Sequence, residues 1–226
     1  MIMKLKALIF DFDGTIQDTE NAEYQAWQEV VRMRGHEITH EIYGSVVGNM
    51  ATTTNAFDWI SSHYGLGLIR EVDLPAIIQR SLEIRKQQSP RPGVVDYLKS
   101  ARENGLALAI ASSSDRSWID THLNIIKLSG MFDVISTADD VNNIKPDPEL
   151  FLLTLDRLRI TPDQAIVFED SPNGVKAAKA AGITTVAVPN DVTRHYNFDE
   201  ADLIIPSMAE VPLQGLLTRL NHNHSN

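Results

Sequence analysis

The residues of this chain best suited to chemistry are four acids in two pairs. Asp11 and Asp13 stand two apart in Asp11-Phe12-Asp13-Gly14-Thr15, and Glu169 and Asp170 are adjacent far along the chain. Two carboxylates at period two leave a strand on the same side, and Gly14 allows a sharp turn where a side chain would clash. Taken alone, the first pair reads equally well as an aspartate-rich turn that ends a strand. A calcium loop fails, because an EF-hand needs an acidic or amide residue where Thr15 stands and a glycine where Ile16 stands. The second pair follows the apolar run Ala165 to Phe168, so it too lies at the carboxyl end of a buried strand, where open α/β sheets place their ligands. Ser171 and Pro172 also read as the cap and first turn of a helix, a role compatible with an acidic site. Four acids meeting in one crevice require a cation, and all-oxygen ligands point to a hard ion such as Mg²⁺.

Two further residues could serve the same crevice. Ser112 ends the run Leu106 to Ala111 and could offer its hydroxyl to a phosphate oxygen; capping a helix that begins near Asp115 is the plainer reading, and Ser113 or Ser114 suits that equally well. Lys145, in Asn143-Ile144-Lys145-Pro146-Asp147-Pro148, has a backbone restrained by the proline that follows it. A solvated loop lysine is the plainer reading there.

The elements that must position these residues are legible as short apolar runs. Leu5 to Phe10, Leu106 to Ala111, Phe132 to Ile135, Ala165 to Phe168, Ile183 to Val188 and Leu203 to Ile205 read as buried parallel strands. Helical patterns lie between them: Gly93 to Asn104, Trp118 to Ile126, Pro148 to Leu158 and Pro172 to Ala181. Such alternation predicts a doubly wound α/β fold, a parallel sheet covered by helices on both faces. The stretch 18 to 90 breaks the rhythm, holding amphipathic helices and no strand. Tyr24, Trp27 and Val31 share one helical face there, as do Phe57, Ile60 and Tyr64. The expected organisation is a core domain of residues 1–17 and 91–226 with a helical domain, 18–90, inserted after the first strand.

Composition narrows the partners. The 226 residues are 43% hydrophobic and 22% charged, the balance of a globular chain with a real core. A formal net charge of −10 repels polyanions, so nucleic acid and anionic membrane are poor partners, whereas a local cation could still admit a small phosphorylated metabolite. With no cysteine, disulfides, thiolate nucleophiles and cysteine-held metals are excluded, and a reducing cytoplasm is the natural compartment. No apolar stretch approaches the ~18 residues of a membrane span. A soluble monomer is expected.

The order Asp-x-Asp-Gly-Thr, a strand ending in Ser, Lys-Pro, and a strand ending in Glu-Asp-Ser resembles the haloacid dehalogenase superfamily over nearly the whole chain. A helical insertion just after the first motif is similar to its β-phosphoglucomutase-like branch. The resemblance implies that Asp11 is a nucleophile, Asp13 a general acid and base, and Ser112 and Lys145 a phosphate-binding pair, with Thr15 and Ser113 counted among the substrate contacts. It implies that Asp11, the Asp13 backbone carbonyl and Asp170 hold Mg²⁺, with Glu169 in support. Asp13 argues for phosphoryl chemistry, since the superfamily's dehalogenases generally lack an acid there. The helical insertion would be a cap, with Glu23, Asn49, Thr52 and Thr53 as candidate substrate contacts. The resemblance therefore predicts a phosphatase acting on a small phosphomonoester such as a sugar phosphate. The alternative is a β-phosphoglucomutase-like sugar phosphomutase, disfavoured because Glu23 stands where that enzyme has a histidine and no arginine follows Gly48; Arg85 or Lys86 could supply the missing clamp.

Overall fold

The computed structural model describes residues 5–49 and 53–223. Six parallel strands form one sheet: β1 (Ala7–Phe10), β2 (Ala107–Ala111), β3 (Val134–Ser136), β4 (Ala165–Glu169), β5 (Thr184–Ala187) and β6 (Leu203–Ile204). Their order is β3-β2-β1-β4-β5-β6. The chain therefore winds outward from β1 in one direction, returns to its other side at β4, and continues. This reversal puts the carboxyl ends of β1 and β4 at the switch point, where such sheets bind ligands.

Each apolar run became a strand because alternate side chains have a helical layer to bury against. Leu8 and Phe10, Leu108 and Ile110, and Ile166 and Phe168 share one core. It is closed by Tyr97 and Leu98 of α5 (Val94–Glu103), Ile119 and Leu123 of α6 (Arg116–Ile125), and Leu216 and Leu220 of α9 (Leu213–Asn223). Ile9, Ala109, Ala111, Ala165 and Val167 face the other way. They meet Phe151 and Leu155 of α7 (Glu149–Leu158) and Ala177 and Ala178 of α8 (Pro172–Ala180). Each large side chain so buried contributes about 1.5–3 kcal/mol, which is why runs this short hold as strands. The doubly wound α/β sheet is as the sequence predicts. One helix start differs: α6 is capped by Asp115, whose carboxylate accepts the Trp118 backbone N–H, and not by a serine.

The chain divides into two compact units. The sheet unit comprises Met1–Gln17, Ser89–Asn190 and Tyr196–Asn226; the second comprises Asp18–Gln88 and Asp191–His195. Among its described residues the second unit is helical, with α1 (Thr19–Met33), α2 (His40–Asn49), α3 (Thr53–His63) and α4 (Arg70–Arg85). Tyr24, Trp27, Val31, Phe57 and Ile60 are buried together in its core, joined by Val192 from the short returning segment. That segment carries no signal in the sequence. Among the described residues no helix is long and apolar enough to cross a membrane.

Candidate active site

The site is built within the sheet unit from the carboxyl ends of its strands. Phe10 pairs with Phe168, and the Asp11 N–H donates to the Phe168 carbonyl at 2.9 Å, so β1 and β4 deliver Asp11 and Glu169 side by side. Asp11, Glu169 and Asp170 are all buried, and each places a carboxylate oxygen within 4.8 Å of the others.

Lys145 is the cation of this cluster. Its ammonium donates to Asp11 Oδ1 at 2.5 Å and to Glu169 Oε1 at 2.6 Å, with the side chain only 5% exposed. Burial would lower the lysine's pKa, but the charges of Asp11 and Glu169 outweigh it and hold the value above the ordinary range. The plainer reading, a solvated loop lysine, is therefore set aside.

Glu169 has a second compensation. Its Oε2 accepts the backbone N–H groups of Asp170 (3.1 Å) and Ser171 (3.2 Å) and the Ser171 hydroxyl (3.1 Å), at the positive end of α8. Ser171 also caps α8 by accepting from Gly174 N–H. A Cβ on Gly174 would lie 1.8 Å from Glu169 Oε1, so only glycine lets the helix come this close. Asp170 is held differently: Thr15 Oγ1 donates to Oδ1 at 3.2 Å and Asn190 Nδ2 to Oδ2 at 2.7 Å.

Asp11 has the least relief. Burial pushes its carboxyl well above the ordinary value, Lys145 works against this, and Glu169 and Asp13 add to the rise. Three buried carboxylates against one ammonium leave the crevice short of positive charge, and every donor is a hard oxygen. The residues present thus fit a divalent cation such as Mg²⁺. The Asp13 carboxylate lies outside the cluster: Oδ2 accepts from Ser114 Oγ at 2.6 Å and Oδ1 from the Trp118 indole N–H at 3.0 Å. Ser112 is buried at the end of β2, and its hydroxyl oxygen accepts from the Ser114 N–H at 3.1 Å.

A family model for haloacid dehalogenase-like hydrolases matches residues 8–188, which runs from within β1 to just past the end of β5 and takes in every group just described except Asn190. The chain belongs to the haloacid dehalogenase-like hydrolases. YhcW of Bacillus subtilis (strain 168), designated a phosphatase by name, is 42% identical over 96% of this chain and 98% of its own. A phosphorylated carbohydrates phosphatase of Thermotoga maritima is 32% identical over 80% of this chain and 84% of its own. A crystal structure from Thermotoga maritima assigned to β-phosphoglucomutase superposes with a TM-score of 0.76 at 27% identity, covering 96% of this chain and 99% of that one. This haloacid dehalogenase-like hydrolase therefore lies in the β-phosphoglucomutase-like phosphatase branch, and in enzyme class it is a hydrolase of phosphoric monoesters.

The structure of this hydrolase also shows what its sequence alone does not. Thr15, counted from the sequence among the substrate contacts, is fully buried and its hydroxyl is directed to Asp170, so it supports the acidic cluster. Ser113 is half-buried beside Ser112. Trp118, Asn190 and Arg91 carry the site without having been singled out, and Ser114 was weighed only as a helix cap. Arg91 donates to the carbonyls of Gly14, Val188 and Pro189, fastening the turn after β1 to the loop after β5. The close approach is also visible at Gly14, with φ +80°, where a Cβ would lie 2.1 Å from Asp170 Oδ2. No spacing rule marks these partners, since each acts across a fold-dependent distance.

In the helical unit, Glu23 pairs with the buried Arg85 at 3.6 Å, and Arg85 donates to the Thr19 carbonyl at 3.4 Å. Burial raises the Glu23 pKa, with Arg85 and the Tyr43 hydroxyl acting in the opposite direction. Arg85, considered from the sequence as a mutase's second-phosphate clamp, is thus engaged inside its own unit. Asn49 is the last residue of α2, and Thr53 opens α3; their side chains, like all of Thr52, lie outside the described residues.

Proposed function

We propose that the protein is a Mg²⁺-dependent phosphatase that hydrolyses a small phosphomonoester, a sugar phosphate, through a phosphoaspartate on Asp11. The observation that carries this reading is the buried Asp11–Lys145–Glu169 chain. A buried carboxylate that shares one lysine with a neighbouring acid keeps its charge only partly met, and has beside it a cation able to face the phosphoryl oxygens.

Asp11, Asp170 and the Asp13 carbonyl would hold Mg²⁺, which when bound neutralises charge on the phosphoryl oxygens. A carboxylate oxygen of Asp11 attacks phosphorus while the bond to the ester oxygen breaks. Asp13 gives its proton to the departing alkoxide, and Lys145 and Ser112 bind the phosphoryl oxygens. Asp13 then takes a proton from water, whose oxygen attacks the same phosphorus; the bond to Asp11 breaks, and phosphate leaves. The balance is one ester and one water consumed, one alcohol and one phosphate formed.

The relative named for phosphorylated carbohydrates supports a sugar phosphate as the ester. A chain without cysteine and with a net charge of −10 fits a reducing cytoplasm and a small anion in place of nucleic acid.

The test is release of inorganic phosphate from p-nitrophenyl phosphate and a sugar-phosphate panel, with Mg²⁺ or EDTA, comparing wild type with Asp11→Asn. Metal-dependent release that disappears in the variant is expected. Release that survives Asp11→Asn would refute the phosphoaspartate. Isomerisation of glucose 1-phosphate primed by a bisphosphate, without hydrolysis, would replace the phosphatase with a mutase.

A further inference from the structure

We propose that Trp118, together with Ser114, is a positioning residue that aims the Asp13 carboxyl at the leaving group. The inference rests on the reading of Asp13 as proton donor given above, and adds the residues through which that donor is held.

An aspartate has two free side-chain torsions, and one hydrogen bond to one oxygen leaves the carboxyl plane free to turn. Asp13 is half-buried and receives two donors on different oxygens, the Trp118 indole N–H on Oδ1 at 3.0 Å and the Ser114 hydroxyl on Oδ2 at 2.6 Å. Both torsions are thereby fixed. The indole nitrogen donates and cannot accept, so its bond holds one orientation, whereas a hydroxyl can do either.

The indole is itself anchored. Its residue lies in the first turn of α6, where the Asp115 cap accepts the Trp118 backbone N–H at 2.7 Å. Its ring packs against the His122 ring one turn later, tilted by 35° with centroids 3.9 Å apart. His122 is buried and meets Phe12 edge-on at 6.3 Å, and Phe12 is the residue between the two aspartates of the motif. Helix α6 and the motif turn thus lock the donor and its target into one assembly. A tryptophan needed only for packing would have no reason to direct Nε1 at this carboxylate.

The decisive measurement is kcat/KM for two esters, which reports events up to loss of the alcohol. One is p-nitrophenyl phosphate, whose phenolate leaves without a proton; the other is the alkyl ester of the panel above that is turned over fastest. Asp13→Asn is the control. If it lowers kcat/KM for the alkyl ester far more than for the aryl ester, the proton-donor reading stands; equal effects overturn that reading and this proposal with it. Trp118→Phe keeps the ring and deletes the donor. The expected result is a fall of about tenfold for the alkyl ester, part of the roughly 10²–10⁴ that a positioned acid contributes, and a change of less than about twofold for the aryl ester. Ser114→Ala should show the same selectivity, and decides the matter if Trp118→Phe does not fold. With the Asp13 control selective, an equal fall on both esters or no fall on either would overturn the proposal.

Discussion

Replacing Lys145 with methionine should destabilise the metal-free protein, and Mg²⁺ should recover much of the loss. The substitution keeps most of the apolar stem, which suits the Phe151 ring 5.0 Å from Nζ, and removes a charge that contacts two carboxylates at 2.5 and 2.6 Å. Deleting one partner of a buried pair costs roughly 3–5 kcal/mol. The crevice can escape by taking up a proton, which sets a ceiling. Keeping a carboxyl of ordinary value 3.8 neutral at pH 7 costs about 4 kcal/mol, at about 1.4 kcal/mol per pH unit. For a chain of this length each kcal/mol moves the melting temperature by about 2–4 °C, so a fall of about 10 °C in EDTA is expected. Excess Mg²⁺ places new positive charge among the same carboxylates and should cut the gap from wild type to less than about half, because the metal stabilises whichever folded state binds it better. Circular-dichroism melts of both proteins in EDTA and in Mg²⁺ at pH 7 measure this. A fall in EDTA of less than about 2 °C, or a gap that Mg²⁺ leaves unchanged, would refute the claim that Lys145 is the cluster's counter-charge.

Three further outcomes follow from the same geometry. Asn190→Ala removes the 2.7 Å donor to Asp170 Oδ2 and should weaken Mg²⁺ binding by roughly 10–100-fold, the usual effect of losing a ligand's support; calorimetric titration giving wild-type affinity would show that Asn190 does not orient the ligand. Gly174→Ala puts a Cβ 1.8 Å from Glu169 Oε1 and should cost about 3 kcal/mol in urea unfolding while lowering phosphate release, because the carboxylate must leave its seat between α8 and Lys145. Wild-type stability in that variant would sink the argument. Asp140, held down to about 2 chiefly by its hydrogen bond from Arg157, is charged in the folded state before it is in the unfolded one. Its stabilisation is therefore present above its ordinary value of 3.8 and lost as pH falls towards 2. Asp140→Asn should cost about 1 kcal/mol or less at pH 7, screened as the pair is by solvent, and nothing near pH 2; a gap independent of pH would contradict this.

The parts of the fold legible in the sequence are those whose signal is local. Leu8, Ile9 and Phe10 announce a strand because consecutive residues must be buried on opposite faces, and the halt at Asp11 announces its end. Glu169 and Asp170 were legible for the same reason. The residues that escaped notice act through distance in sequence. Trp118 reaches Asp13 across 105 positions and Asn190 reaches Asp170 across 20, and neither pairing leaves a period or a composition bias. The Thr15 hydroxyl contact was not legible because a threonine beside two aspartates reads alike whether it faces solvent or Asp170; only its burial decides. Asp191–His195 were illegible because their place in the helical unit rests on one apolar side chain, Val192.

The site's electrostatics also support the proposal that Asp11, and no other acid of the cluster, is the nucleophile. Glu169 shares Lys145 and additionally faces the backbone N–H groups at the start of α8, so its charge is met from two directions. Asp170 accepts from Thr15 on one oxygen and Asn190 on the other, so its orientation is fixed at both. Asp13 is bound at both oxygens as well. Asp11 is met by Lys145 alone among these donors, and burial raises its pKa despite that contact. A carboxylate whose charge is poorly compensated at rest gains most when an electrophilic phosphorus and a divalent cation arrive together. On this proposal the surrounding acids are satisfied so that the nucleophile need not be.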